Sequence, residues 1–297
     1  MRRRVIMLSF GAAVVILAAA LYGFMNRPTT TTDFVMGSVL TQTYWGGGPA
    51  GAVLRDIEQL ELELFNVTEA PPLALEIMEA SGGAFNPYLG ALAQLWDIDG
   101  LGYVPTGAEI QAAMQEKVLD FGGYGKGAAC DIVYHDFHSI RSRGAVINLG
   151  GNIATVGAKS FFQPFRIALR DPKGGPNDTI GMFTLRGTNF ISTSGSYEKY
   201  FERDGVRYHH IFDPETGYPA ERDPGLISVT VISTGPNGGA IGDAISTACF
   251  VLGYEDSIEL LEKYNCDAIF IYEDGRVRAV GDVKSYFKLE HSSYHWS

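Results

Sequence analysis

Between Ala50 and Phe65 the apolar residues Val53, Leu54, Ile57, Leu60 and Leu64 recur every three or four positions with glutamates between them. That spacing predicts an amphipathic helix with one face turned to a core. Leu73 to Ala80 reads as a second, shorter helix that stops at Ser81-Gly82-Gly83. Thr106 to Lys117 reads as a third, opened by Thr106 with Glu109 three residues on in the pattern of a capping box. A glycine-rich turn leads into a helix over Gly123 to Ile140, and two more are predicted over Asn237 to Leu252 and Glu255 to Tyr264. Strands are predicted over Phe34 to Trp45, Ala145 to Asn148, Phe165 to Leu169, Leu226 to Ile232, Ala268 to Tyr272 and Val277 to Val280. The runs Thr179 to Leu185, Phe190 to Thr193, Glu198 to Glu202 and Val206 to Ile211 read as an antiparallel meander with a tight turn at Asp204-Gly205. Strands in runs, with helices placed irregularly between them, define an α+β class with mixed or antiparallel sheets and packed helices.

Ahead of this body the pattern changes. Arg2, Arg3 and Arg4 precede an uncharged apolar run from Val5 to Met25. Its 21 residues suit one membrane-spanning helix or a long signal peptide, so residues 1–25 are expected to be a leader or an anchor. The arginines are expected to stay cytoplasmic, which puts the rest of the chain outside the inner membrane, in the periplasm or an equivalent space. Residues 26–32 are expected to be a polar linker, and residues 33–290 the working domain.

Composition narrows the choices. In 297 residues, 46% hydrophobic content supports a core without disulfide staples, and a net charge of -11 with no basic stripe excludes a nucleic-acid partner. Cys130, Cys249 and Cys266 are too few and too scattered for a disulfide framework, and Cys130 and Cys249, among alanines and large apolar residues, are expected to be packed, inert thiols. An anionic small molecule remains compatible with the charge, held by local amides or through a metal.

Six segments carry candidate chemistry. Asp120-Phe121-Gly122-Gly123-Tyr124-Gly125-Lys126-Gly127 places glycines at a helix entrance, where free amides and Lys126 suit a phosphate or pyrophosphate; a glycine-rich cap with an exposed lysine fits the same residues. Asp243 and Thr247 lie four apart on one helix face as two hard oxygens that suit Mg2+; spacing alone equally suits a buried carboxylate accepting the threonine hydroxyl. His209 and His210 close a strand just before the turn Asp213-Pro214-Glu215-Thr216-Gly217, where imidazoles can exchange protons near neutral pH. Asn148 to Asn152 reads as a tight backbone site or a strand-ending turn, and Ser192 to Glu198 as a polar loop. Tyr88 and Trp96, in or near Phe85 to Asp97, are aromatic rings that suit either stacking on a planar ligand or a core.

In order, Met36-Gly37-Ser38, Gly82 to Pro87, Leu95-Trp96, Asp120 to Asp131, Asn148 to Asn152, Thr193-Ser194-Gly195, His209 to Pro219 and Asp243 to Ala248 resemble the FAD:protein FMN transferases, the ApbE-type flavin transferases. The likeness runs from about Phe34 to about Val280. It implies an ApbE-like fold. It implies Mg2+-dependent transfer of FMN from FAD to a Thr or Ser hydroxyl of an exported redox protein with a Ser/Thr-Gly-Ala-Ser/Thr motif, releasing AMP. Hydrolysis of FAD to FMN and AMP, or FAD binding without turnover, are the alternatives. By the same resemblance Asp243, Thr247 and the Gly125 carbonyl match metal ligands. Gly122, Gly123 and Lys126 match the pyrophosphate site; Met36, Trp96 and Ile211 match flavin or adenine contacts; His210 matches the residue expected to help deprotonate the acceptor. The segments after Phe65 and between Lys117 and Asp120 are shorter than the family pattern, and Gly125 stands where alanine is usual.

Overall fold

The computed structural model describes Gly23 and residues 27–139, 143–160 and 163–297. The Val5–Met25 run, apart from Gly23, lies outside the described residues. Among those described, no helix is long and apolar enough to cross a membrane.

Fourteen strands and seven helices alternate irregularly along the described chain. Strands β1 (Pro28–Val35) and β2 (Ser38–Trp45) form a hairpin, followed by helices α1 (Ala50–Asn66), α2 (Pro72–Ala80), α3 (Gly90–Trp96), α4 (Gly107–Ala113) and α5 (Gly125–Ser139). Strands β3 (Gly144–Leu149), β4 (Asn152–Gly157), β5 (Phe165–Arg170), β6 (Thr179–Leu185), β7 (Asn189–Gly195), β8 (Tyr200–Arg203), β9 (Val206–His209) and β10 (Leu226–Ser233) come next. Helices α6 (Gly238–Leu252) and α7 (Tyr254–Lys263), then β11 (Asp267–Tyr272), β12 (Arg276–Val280), β13 (Phe287–Leu289) and β14 (His295–Trp296), complete the body.

The frame is a nine-stranded sheet in the order β1-β2-β3-β4-β7-β10-β11-β12-β14, antiparallel except for the parallel β12–β14 pair. Both faces are covered, and the period-2 alternation of strand side chains sorts residues between them. On β10 and β11, Val229, Val231, Ala268 and Phe270 face α6 and α7 through Ala244, Ala248 and Leu260. Ile269 and Ile271 face the opposite way, onto Phe165, Ile167 and Phe183 of the small sheet β13-β6-β5. A third apolar cluster seats α1 and α5 on β2, β3 and β4 through Val53, Ile57, Val133, Leu40 and Ile147. The α+β expectation therefore holds. The capping box opening α4 forms as read, with the Thr106 side chain accepting from Glu109 N and Glu109 accepting from Thr106 N.

Several local readings need correction. The expected linker is strand from Pro28 on, because the threonine run pairs with β2 from Pro28↔Trp45 to Val35↔Ser38. The single strand expected over Phe34–Trp45 is broken at Met36-Gly37, both at positive φ (52° and 65°), the two-residue turn that lets the hairpin follow its own twist. Beyond residue 290 the chain still contributes β14, paired to β12. The expected meander does not exist. β6 joins β5 and β13, β7 joins β4 and β10, and β8–β9 stand as a separate hairpin. Each run was a strand, but its partner came from sequence far away, which alternation within a run does not encode. Helix α3 and strand β4 were not anticipated at all.

Candidate active site

The site is built where α5 and α6 cross. Their first turns touch backbone to backbone: a Cβ on Gly127 would fall 2.1 Å from the Gly239 carbonyl oxygen, and one on Gly239 would fall 2.2 Å from that of Gly127. Each helix then caps the other. Asp131, one turn into α5, accepts from Gly239 N (2.8 Å) and Ala240 N (2.9 Å) at the α6 entrance. Asp243, one turn into α6, accepts from Gly127 N (2.9 Å) at the α5 entrance. Free amides at a helix start need such acceptors, and carboxylates there also complement the helix dipole. Burial pushes the Asp131 carboxyl up to about 6 against the pull of its two N–H donors. The exchange is written in the sequence as a repeated Gly-Ala-x-x-Asp, at Gly127–Asp131 and Gly239–Asp243. Asp131 was missed as a supporting residue, and this short recurrence is the signal that could have found it.

Asp243 is almost wholly buried yet reaches the cleft wall. Its second oxygen accepts from Asn152 Nδ2 (3.2 Å) at the start of β4. Thr247, one turn further along α6, sits 3.3 Å from the Asp243 backbone carbonyl and 3.2 Å from Ser194 Oγ on β7. The threonine hydroxyl therefore does not satisfy the Asp243 carboxylate, which was the alternative open from spacing alone. Gly123 faces it: a Cβ there would lie 2.7 Å from Thr247 Oγ1. Carboxylate, hydroxyl and glycine backbone thus line one confined, oxygen-rich corner. Hard oxygens of this kind match Mg2+ rather than a softer ion. Among the described residues no cluster of three His, Cys, Asp or Glu side chains offers another kind of metal site.

Two connected cavities open from this corner. The inner one is lined by Gly122, Gly123, Lys126, Ser194, His210, Ile211, Asp243 and Thr247, among others. The outer one, about 730 Å³, has Met36, Leu64, Phe65, Val67, Leu119 and Phe121 as its apolar wall, and shares Asp120, Gly122, Lys126, Glu198 and His210 with the first. An apolar chamber continuous with a polar, cation-bearing corner suits a ligand with a flat ring at one end and anionic groups in the middle. Lys126 Nζ donates to Gly122 O (2.8 Å), which keeps its charge at the shared wall.

The histidine pair is divided by the strand end. His209 points into the core, edge-on to Phe250, and burial pushes it down to about 4. His210 lines the cleft, and burial, assisted by the nearby Lys199 and Lys126 cations, also pushes it down to about 4. His210 Nδ1 lies 3.3 Å from the Lys199 carbonyl. A carbonyl only accepts, so Nδ1 carries the proton and Nε2 keeps its lone pair. The turn behind is pinned by Arg222, which grips Asp213 through Nε and Nη2, both at 2.7 Å. Burial opposes the Asp213 charge, but the Arg222 hydrogen bond, the Glu215 amide and the Arg222 charge hold its carboxyl below the usual range.

Of the residues singled out in the sequence, His210, Gly122, Gly123, Lys126, Asp243, Thr247 and Ile211 meet in the inner cavity, and Met36 lines the outer one. Trp96 does not. It is fully buried, its Nε1 donates to Gly217 O (2.9 Å), and it packs on Tyr208, Phe212 and Tyr218. It braces the loop that follows His210 instead of lining the cleft. Gly125 starts α5 and lines neither cavity; a Cβ there would come within 3.0 Å of Met36 Cε and 3.3 Å of Leu64 Cδ1, so the glycine makes room for the outer wall. Cys130 and Cys249 are buried, as expected, and so is Cys266; burial pushes Cys249 and Cys266 up to about 12 and raises Cys130 as well.

Fold and cleft together describe an α+β protein with a cleft, apolar at one end and polar at the other, beside two mutually capped helices. The chain belongs to the ApbE family, whose sequence model matches residues 56–270. It is 37% identical over 246 residues to an FAD:protein FMN transferase of Treponema pallidum (strain Nichols), covering 71% of this chain and 66% of that protein. Among solved structures it is similar to the ApbE protein of Thermotoga maritima (TM-score 0.74, 26% identity, 88% of this chain and 99% of that one). It is also similar to the apo form of the Pseudomonas stutzeri flavinyl transferase ApbE (TM-score 0.66, 28% identity, 84% and 92%). The chain spans between one third and two thirds of the length of the curated relatives matched first.

Proposed function

We propose that this chain is an FAD:protein FMN transferase that uses Mg2+ and acts on a Thr or Ser hydroxyl of an exported redox protein carrying a Ser/Thr-Gly-Ala-Ser/Thr motif. The observation that carries the reading is the placing of Asp243, Thr247, the Gly122–Gly123 backbone and Lys126 around one corner of a cleft whose other end is apolar. Asp243 and Thr247, which line the inner cavity, would hold the cation. When bound, Mg2+ would neutralise charge on the pyrophosphate and make its cleavage easier. The glycine amides and Lys126 position the phosphates, and Met36 and Ile211 border the planar ends. His210, neutral with a free Nε2 lone pair, takes the proton from the acceptor hydroxyl. The hydroxyl oxygen then bonds to the FMN phosphorus, the pyrophosphate bond breaks, and AMP leaves. Residues 5–25 would tether the domain to the inner membrane or direct its export to the periplasm.

The test mixes the protein with FAD, Mg2+ and a carrier domain bearing the acceptor motif. Flavin fluorescence that stays with the carrier on a denaturing gel, with one AMP released per label, is the expected result. Free FMN and AMP with an unlabelled carrier would replace transfer by hydrolysis, and no product at all would remove the enzyme reading.

His210 supplies a second check. Because its folded value lies near 4, it remains neutral from pH 8 down to about 5, so kcat/KM is expected to stay level over that window and fall only as pH drops through about 4. His210→Ala is expected to slow transfer roughly 100-fold or more, in the range of a lost general base, with FAD affinity little changed. Equal losses in affinity and rate would make His210 a binding residue.

A further inference from the structure

The Asn148–Asn152 segment is the part of the sequence pattern that the proposed chemistry leaves unused. It forms the β3–β4 hairpin, with Gly150 and Gly151 both at positive φ (56° and 93°) and Asn148 Oδ1 accepting from Gly151 N (3.0 Å). The tip is tightly placed: a Cβ on Gly150 would lie 2.6 Å from Ser38 Oγ and 3.3 Å from Lys126 Cδ. This turn delivers Asn152, only 3% exposed, to the side of Asp243. Both Asp243 oxygens accept, one from Gly127 N and the other from Asn152 Nδ2 at 3.2 Å, so the Asn152 amide turns its nitrogen to Asp243. Its own Oδ1 is then left buried with no partner. A buried carbonyl without a donor is costly, and a nonpolar side chain of the same size would avoid that cost. What the asparagine provides is a second anchor. Gly127 N fixes one carboxylate oxygen and Asn152 Nδ2 the other, so the carboxylate cannot rotate about its Cβ–Cγ bond.

We propose that Asn152 is a positioning residue for the divalent-cation site: by donating to Asp243 Oδ1 it locks the rotation of the carboxylate, so that the remaining lone pairs face the corner shared with Thr247. The inference rests on the Mg2+ reading above and adds a residue behind the cleft that touches neither ligand nor cation. Outer hydrogen bonds of this type orient metal ligands, and their loss weakens metal affinity about 10–100-fold.

The experiment uses the full chain with Mn2+, which suits the same hard-oxygen ligands and can be followed by the electron-spin signal of the free ion, in the presence of excess FAD. Asn152→Leu keeps the branched outline of the side chain and removes the donor. Its apparent Mn2+ dissociation constant is expected to rise at least tenfold, with the cation-free thermal midpoint close to wild type. The Mg2+ concentration for half-maximal FAD turnover should rise by the same factor, with turnover recovered at saturating Mg2+. Should the leucine variant fail to fold, Asn152→Ser, which shortens the donor out of reach, is measured in the same way. Wild-type cation affinity in either folded variant, or a loss of turnover that no Mg2+ concentration restores, overturns the proposal. If the wild-type chain itself takes up no Mn2+ with FAD present, the underlying metal reading fails, and that outcome is visible before any variant is made.

Discussion

Asp243→Asn is expected to lower FAD turnover about 1000-fold or more while leaving the protein folded. The substitution keeps the shape of the side chain and one acceptor for Gly127 N, so the α5 entrance stays capped. Asn152, whose Oδ1 is unpaired, can turn its amide over to accept from the new Nδ2. What disappears is the negative charge. A divalent cation at the site would then have a hydroxyl and carbonyls but no carboxylate, and the several kcal/mol of charge stabilisation that a metal supplies to phosphoryl chemistry would go with it; about 4 kcal/mol corresponds to the thousandfold loss. Thermal unfolding without metal and kcat/KM against Mg2+ concentration check the two halves. A variant that folds normally and turns over at the wild-type rate at limiting Mg2+ would end the metal assignment and the proposed mechanism with it.

Gly127→Ala is expected to be strongly destabilising. The added methyl would sit 2.1 Å from the Gly239 carbonyl oxygen and 2.6 Å from Asp243 Cβ, with backbone and not a flexible side-chain end in the way. Helices α5 and α6 must then separate, which breaks the Asp131 and Asp243 caps together. Overpacking costs about 3 kcal/mol at the upper end of its usual range, equivalent to a midpoint lower by roughly 6–12 °C for a domain of this size. Because the shift moves Asp243 directly, activity at temperatures where the variant is still folded should fall as well. Calorimetry with an assay well below the midpoint tests both, and a variant that melts and turns over like wild type would mean the two helices do not meet as described.

Much of the fold was legible because its signals are local. The 3.6-residue period over Ala50–Phe65, the Thr106–Glu109 capping box and the glycine stop after Ala80 are each decided within a few residues, and each helix starts close to where it was read, although the one after Thr106 ends at Ala113 and not at Lys117. The positions at the cleft were also legible, since His210 at a strand end and Asp243 and Thr247 at one-turn spacing keep their mutual geometry inside a single element. Trp96 was misread for the opposite reason. An aromatic ring beside a ligand and one in a core have the same sequence appearance, and only the closure of Gly217 O onto its Nε1, across more than a hundred residues, separates them. Strand partners failed in the same way: β6 looks no different in sequence whether it pairs with β7 or with β13 from the far end of the chain.

By itself the sequence determined most of the helices and strands, that the core needs no disulfides, and which side chains carry groups able to bind a ligand or exchange a proton, because these follow from periodicity, composition and functional groups. Only the tertiary structure decided that α5 and α6 exchange carboxylate caps through a glycine contact, that Asn152 stands behind Asp243, and that His210 but not Trp96 faces the cleft. Those are hydrogen bonds and close approaches between residues roughly 90 to 120 positions apart, and no local pattern can specify which distant donor a carboxylate will meet.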